Sequence, residues 1–182
     1  MIPLLLLFLA AAAPLGAQNT TLPMKVPVKA RQAGGVTPAM LTPLEKRFNG
    51  RLSTLFENDD QLDLLGNTRG VYLDGFGVVF TAEVSLVMTP AITPFRSSIN
   101  KETADAVHTK KTQRLPFLKA AMKEMLSNMA ATLSQLPQDQ QMVVVVRFWY
   151  EPWEDLTGMP AQLFARASRK DAIEGNVKVE EQ

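Results

Sequence analysis

Arg69-Gly70-Val71-Tyr72-Leu73-Asp74-Gly75-Phe76-Gly77-Val78-Val79-Phe80-Thr81-Ala82-Glu83-Val84-Ser85-Leu86-Val87 sets the architecture of this chain. Asp74-Gly75 suits a two-residue type I′ turn, because Gly adopts positive φ freely and Asp tolerates it. The segment is therefore predicted as a β-hairpin whose second strand is long and strictly alternating. On that strand Val78, Phe80, Ala82, Val84 and Leu86 form a core face. Val79, Thr81, Glu83, Ser85 and Val87 form a mixed opposite face. Gly77, just beyond the turn, predicts a bulge or the close approach of another backbone.

A helix precedes the hairpin. Thr42 caps it, Pro43 takes its first position and Glu45 closes a capping box. Leu44, Phe48, Leu52, Leu55 and Phe56 then share one apolar face. Glu57, Asp59, Asp60 and Asp63 end it in an acidic loop that lacks the glycine and glutamate order of an EF-hand, so it reads as solvated.

Beyond the hairpin, two Thr-Pro pairs in Met88–Arg96 break the strand pattern. Asn100 to Lys111 is predicted as a helical turn or two. A separate long helix is predicted from Leu115 to Leu136, with Leu115, Leu118, Met122, Met125, Met129, Leu133 and Leu136 as its stripe. Pro116 falls in its first turn and Pro137 stops it. Its methionines suit an irregular core, with an adaptable binding groove as the alternative.

Met142 to Tyr150 reads as a central strand covered on both faces, because Val143 to Val146 are all apolar. Gln162 to Ser168 reads as a fourth strand. Asp171 to Ile173 reads as a last turn, and 176–182 as a polar tail. The expected fold is α+β, a single domain over 42–175 in the order α-β-β-α-β-β. It has a mainly antiparallel four-stranded sheet with helices packed on it.

Composition bounds the partners. The 182 residues suit one domain, with 46% hydrophobic and 20% charged residues typical of a globular protein. Nineteen basic against eighteen acidic residues give a net charge of +1, which supplies no field for nucleic acid or anionic lipid. Leu4 to Leu9, Ala10 to Ala13 and the small residues to Ala17 resemble a secretory signal over 1–17, with an uncleaved anchor as the alternative on the same pattern. A Pro-, Thr- and Gly-rich tether over 18–41 follows. No cysteine is present, so disulfides, thiol catalysis and cysteine-ligated metals are excluded. An exported protein of the bacterial periplasm or exterior is expected, with no later span.

The residues that carry chemistry are few. No G-x-S-x-G elbow, Walker loop, Rossmann glycine set or H-E-x-x-H is present, so neither a cofactor nor a metal site is expected. His108 is the only imidazole and neighbours Lys110 and Lys111, as an exposed residue would. Glu83, with Glu151, Glu154 or Asp155 in the loop before Pro160, would supply the paired acids of a glycan-directed hydrolase near Trp153. The alternation also places Arg147, Trp149, Phe164 and Arg166 with Thr81 and Glu83 opposite the core, and Tyr150 and Trp153 at the end of that face. Trp, Tyr and Arg anchor interfaces. A competing arrangement has the first helix cover this face, with Glu83 paired to Arg147.

The leading expectation is a non-catalytic exported protein that binds a protein or envelope component. A periplasmic hydrolase comes second, and a lipid or small-ligand carrier using the methionine stripe third. A second copy of the chain is also a candidate partner.

Overall fold

The computed structural model describes residues 35–56, 61–90, 92–95 and 98–182. Its elements are α1 (Pro38–Thr54), β1 (Asp63–Leu64), β2 (Arg69–Leu73), β3 (Gly77–Ser85), α2 (Lys101–Thr132), β4 (Gln141–Phe148), β5 (Gln162–Ser168), α3 (Arg169–Ile173) and β6 (Lys178–Glu181). The expected signal sequence over 1–17, the expected tether up to Gly34 and the acidic residues Glu57, Asp59 and Asp60 lie outside the described residues. Among those described, no helix is long and apolar enough to cross a membrane.

The hairpin forms, with a longer turn than Asp-Gly alone predicts. Leu73 pairs with Gly77, so the loop is Asp74-Gly75-Phe76, closed by the Phe76 N–H donating to Leu73 O at 3.0 Å. Gly75 sits at φ +76° and Gly77 at φ +138°. Gly77 is there for the expected close approach: a Cβ at this position would run into the backbone of Gln141.

The expected antiparallel four-stranded sheet is a mixed six-stranded sheet. β1 and β2 both pair with one edge of β3, and the order continues β4, β5, β6. β3 and β4 are parallel, with Gly77 opposite Gln141 and Val84 opposite Phe148. The reason is the crossover. The stretch expected as two helical pieces is one continuous helix over Lys101–Thr132, and its 32 residues would span about 48 Å at 1.5 Å each. That length carries the chain back past the start of β3, and β4 then leaves in the same direction. Asn100 caps the helix, accepting the Thr103 N–H at 2.9 Å, and Pro116 lies inside it. The expected polar tail is the edge strand β6, which pairs antiparallel with β5.

α1 starts before the predicted cap. Leu41 lies one turn ahead of Leu44, Phe48 and Leu52 on the buried face, so the helix begins at Pro38 and Val36 also enters the core. The capping box does not form. The Thr42 hydroxyl donates to Pro38 O at 3.1 Å, and Glu45 turns to the sheet. There its Oε1 accepts the Gly70 N–H at 2.7 Å, while Asn49, one turn on, accepts the Thr68 N–H through Oδ1 at 2.9 Å. Four residues of helix rise about 6 Å and two residues of strand nearly 7 Å, so the two side chains match two outward N–H groups of the β2 edge.

Both long helices pack on the same face of the sheet. Val78, Phe80, Ala82 and Val84 of β3, Met142, Val144, Val146 and Phe148 of β4, and Leu163, Ala165 and Ala167 of β5 are buried there. The α2 stripe meets them, with Met122, Met125 and Met129 all inside the core. Arg169 closes the far end of α2, its guanidinium donating to Ala130 O and Leu136 O at 3.1 Å each. Val143 and Val145 are only half-buried. β4 is central, as its valine run predicts, but among the described residues it is covered on one face, because the described helices lie on that side.

Gly77→Ala is expected to lose on the order of 3 kcal/mol or more, since both φ and the space beside Gln141 exclude a side chain. Gly75→Ala, whose Cβ would meet open space, should cost only about 1 to 2 kcal/mol for its left-handed φ. Equilibrium urea unfolding of the two variants measures the difference.

Candidate functional site

Two arrangements of polar and aromatic residues stand out, on opposite sides of the sheet. The first is the uncovered face. Strand registers place Val71, Val79, Val143 and Arg166 in one cross-strand row. Arg69, Thr81, Val145 and Phe164 form the next row, and Glu83, Arg147 and Gln162 the one after. Leu73 and Trp149 flank the patch and are 46% and 51% exposed, and Val71 is 52% exposed. The Trp149 N–H donates to Val84 O at 2.8 Å, which fixes its backbone at the end of the parallel pair.

The face therefore has an apolar centre of β-branched side chains with guanidiniums around it. α1 does not cover it. Glu83 and Arg147 are register neighbours, but among the described residues no ion pair closes between them. Arg166 instead pairs with Glu180 of β6 at 2.6 Å.

The second arrangement is a latch on the helix side. Val107, Lys111, Leu115, Leu118 and Met122 continue one buried stripe along α2, so Lys111 occupies a core position. Its ammonium donates to Glu154 Oε2 at 2.5 Å, and the two side chains are only 2% and 3% exposed. The ammonium also lies 4.9 Å from the centre of the Tyr150 ring. The other carboxylate oxygen of Glu154 accepts the Glu151 N–H at 2.9 Å. Burial pushes the Lys111 pKa down, against the hydrogen bond and the charge of Glu154, which act to raise it.

Neighbouring positions of α2 hold the same loop. His108 Nδ1 lies 2.9 Å from Asp155 O, and the Thr112 hydroxyl reaches Met159 Sδ at 3.5 Å. The Thr157 hydroxyl and N–H donate to Asp155 Oδ1 at 2.7 and 2.9 Å and hold that carboxyl below its usual range. The Tyr150 hydroxyl donates to Pro160 O at 2.6 Å, and burial drives its pKa upward.

The residues expected from the sequence are thus divided. Arg147, Trp149, Phe164, Arg166 and Glu83 come together on the open face. Tyr150 and Trp153 do not end that face: Tyr150 turns to Phe148 and Lys111, and Trp153 is half-buried with its indole nitrogen enclosed. His108 is half-buried against the loop rather than fully solvated. Glu154 is taken up by Lys111, while Glu83 points from the opposite face of β3. Among the described residues, no group of three His, Cys, Asp or Glu side chains is placed to hold a metal ion.

Lys111 is the residue that sequence reasoning missed. Its signal was positional, four residues before Leu115 and four after Val107 on the apolar stripe. Comparison with known protein families, characterised proteins and solved structures finds no match.

The latch predicts a specific stability pattern. Lys111→Met leaves the Glu154 carboxylate buried without its partner and should cost about 3 to 5 kcal/mol, whereas Lys111→Met with Glu154→Leu should recover most of that loss. Urea midpoints of the single and double variants check this.

Tyr150 adds a pH signature. Its folded pKa lies above the ordinary 10.0, so its contribution is intact below pH 10 and is lost as pH rises further. Wild type should therefore lose stability relative to Tyr150→Phe by about 1.4 kcal/mol for each pH unit above 10. Paired denaturation curves at pH 8 and pH 11 measure it.

Proposed function

We propose that this chain is an exported, non-catalytic binding protein whose uncovered sheet face docks a protein or another component of the cell envelope. The observation that carries this reading is the contiguous patch of Leu73, Val71, Val79, Val143, Val145 and Phe164, left bare by both helices. Exposed apolar surface of this kind on a folded domain marks an interaction site more often than chance placement. Its border of Arg69, Arg147 and Trp149 supplies residue types that carry most of the energy in interfaces. Export rests on the apolar run and small residues of the first seventeen positions.

The polar latch supports the same reading by what it does. Lys111 and Glu154 neutralise each other inside the domain and fasten the loop 151–160 to α2. The Glu154 carboxylate is engaged by the Lys111 ammonium and the Glu151 N–H, which does not favour glycan hydrolysis as a second reading. The methionines of α2 are spent in the core, and nothing favours a carrier either.

Trp149→Ala combined with Phe164→Ala should reduce capture of the partner from envelope extracts by tenfold or more. The unfolding midpoint should change little, because neither side chain belongs to the buried core. Undiminished capture by a folded double variant removes the open face as the docking surface.

A further inference from the structure

The two edges of the sheet are treated differently. At β2 the outward N–H of Gly70, and the N–H of Thr68 just before the strand, are occupied by Glu45 and Asn49 of α1. At β6 the reciprocal bonds between Gln162 and Gln182, at 3.0 and 3.1 Å, fix which backbone groups face β5. Counting back in twos, Glu180 and Lys178 also face β5, and the N–H and C=O of Val179 and Glu181 face outward. Among the described residues, nothing bonds those outward groups. Lys119 of α2 reaches the Glu181 side chain, on the helix side of the strand, and leaves its backbone edge clear.

From this edge we infer that β6 pairs antiparallel with β6 of a second copy, joining two sheets into one. Only registers that place outward-facing residues opposite one another are allowed. Of these, the one centred on Val179 opposite Val179 also sets Lys178 opposite Glu180 twice, by symmetry. Opposite charges facing across strands favour that register. The next register along would set Glu180 against its own copy and is disfavoured. Arg166 already holds Glu180 from the β5 side at 2.6 Å, so the carboxylate would sit between two cations. Lys178 is exposed and gains the partner that it lacks within one copy among the described residues. The inference is independent of the docking reading for the open face, since it uses the strand edge.

The test is the oligomeric state of the full chain by size exclusion with light scattering, from 1 to 200 µM. Wild type is expected to show the mass of two chains at the upper concentrations; a monomer throughout overturns the inference. Val179→Pro deletes an outward N–H without touching the β5 ladder, and should give a folded monomer. A dimer that survives Val179→Pro with its circular dichroism unchanged also overturns it.

Charge variants keep the inference falsifiable should the proline variant misfold. Lys178→Glu and Glu180→Lys should each lose the homodimer, while an equimolar mixture of the two should regain a heterodimer. Failure of the mixture to associate, with both variants folded, rules out this register and the inference with it. If an unrelated extended peptide is the natural occupant of the edge, the wild-type chain alone stays monomeric, which is the overturning result above.

Discussion

Eight residues of β3 run in parallel register with eight of β4, and most other features follow from that pairing. Two parallel strands next to each other require a crossover that returns the chain to its starting end. Here α2 supplies it as one 32-residue helix on one face of the sheet. α1 joins it on the same face, where Phe48, Leu52, Phe80 and Met122 share a core. Among the described residues, the opposite face receives no helix. Parallel running also brings the segments after β3 and β4 to the same end of the sheet, which is why Trp149 can donate to Val84 O and why α2, entering from that end, can grip the loop 151–160. At the other end the pairing requires Gly77, whose missing Cβ lets β4 begin beside the turn.

The positions of β3, β4 and β5 were legible because each has a one-dimensional signature: strict alternation in Val78–Leu86, a β-branched run at Val143–Val146, and alternation again in Leu163–Ala167. Strand direction was not legible. Alternation has period two whichever way a strand runs, and direction was decided by the length of the connection. That length was obscured by Pro116, which reads locally as a helix start and is overridden by packing of the stripe on either side of it. β6 was hidden because Lys178, Glu180 and Glu181 look like a solvated tail; only its pairing with β5 makes it a strand. The open face was legible in its membership, since Arg147, Trp149, Phe164 and Arg166 follow from parity. Its exposure was not, because nothing in the sequence of α1 says which side of the sheet it covers.

The latch shows the same limit in energetic form. A lysine on an apolar stripe is ordinarily a sign that the stripe has ended, because burying a lone ammonium costs several kcal/mol. Lys111 is tolerated because Glu154, forty-three residues away, arrives with its own second oxygen already satisfied by the Glu151 N–H. Pairing of this kind contributes little net stability compared with an apolar pair, but it is intolerant of substitution on one side only. It therefore fixes where the loop 151–160 sits more than how firmly the domain folds. His108 and Tyr150 contribute in the same sense, each holding a backbone carbonyl of the loop, at Asp155 and Pro160.

The asymmetry of the sheet edges decides what kind of assembly is accessible. A sheet with two open edges adds copies at both and grows without limit, the hazard that native proteins suppress at exposed strands. Here Glu45 and Asn49 take up the Gly70 N–H and, just before β2, the Thr68 N–H from within the same domain. The outward groups of β6 meet no such side chain among the described residues, so β6 pairs with its own equivalent across a two-fold axis. Such a contact uses one surface on both partners and therefore closes after two copies. The pairing would extend the bare face across both sheets, placing two sets of Arg147, Trp149 and Phe164 on one side of a continuous surface. A partner that engages both sets would gain from the linkage through effective concentration rather than through any new contact.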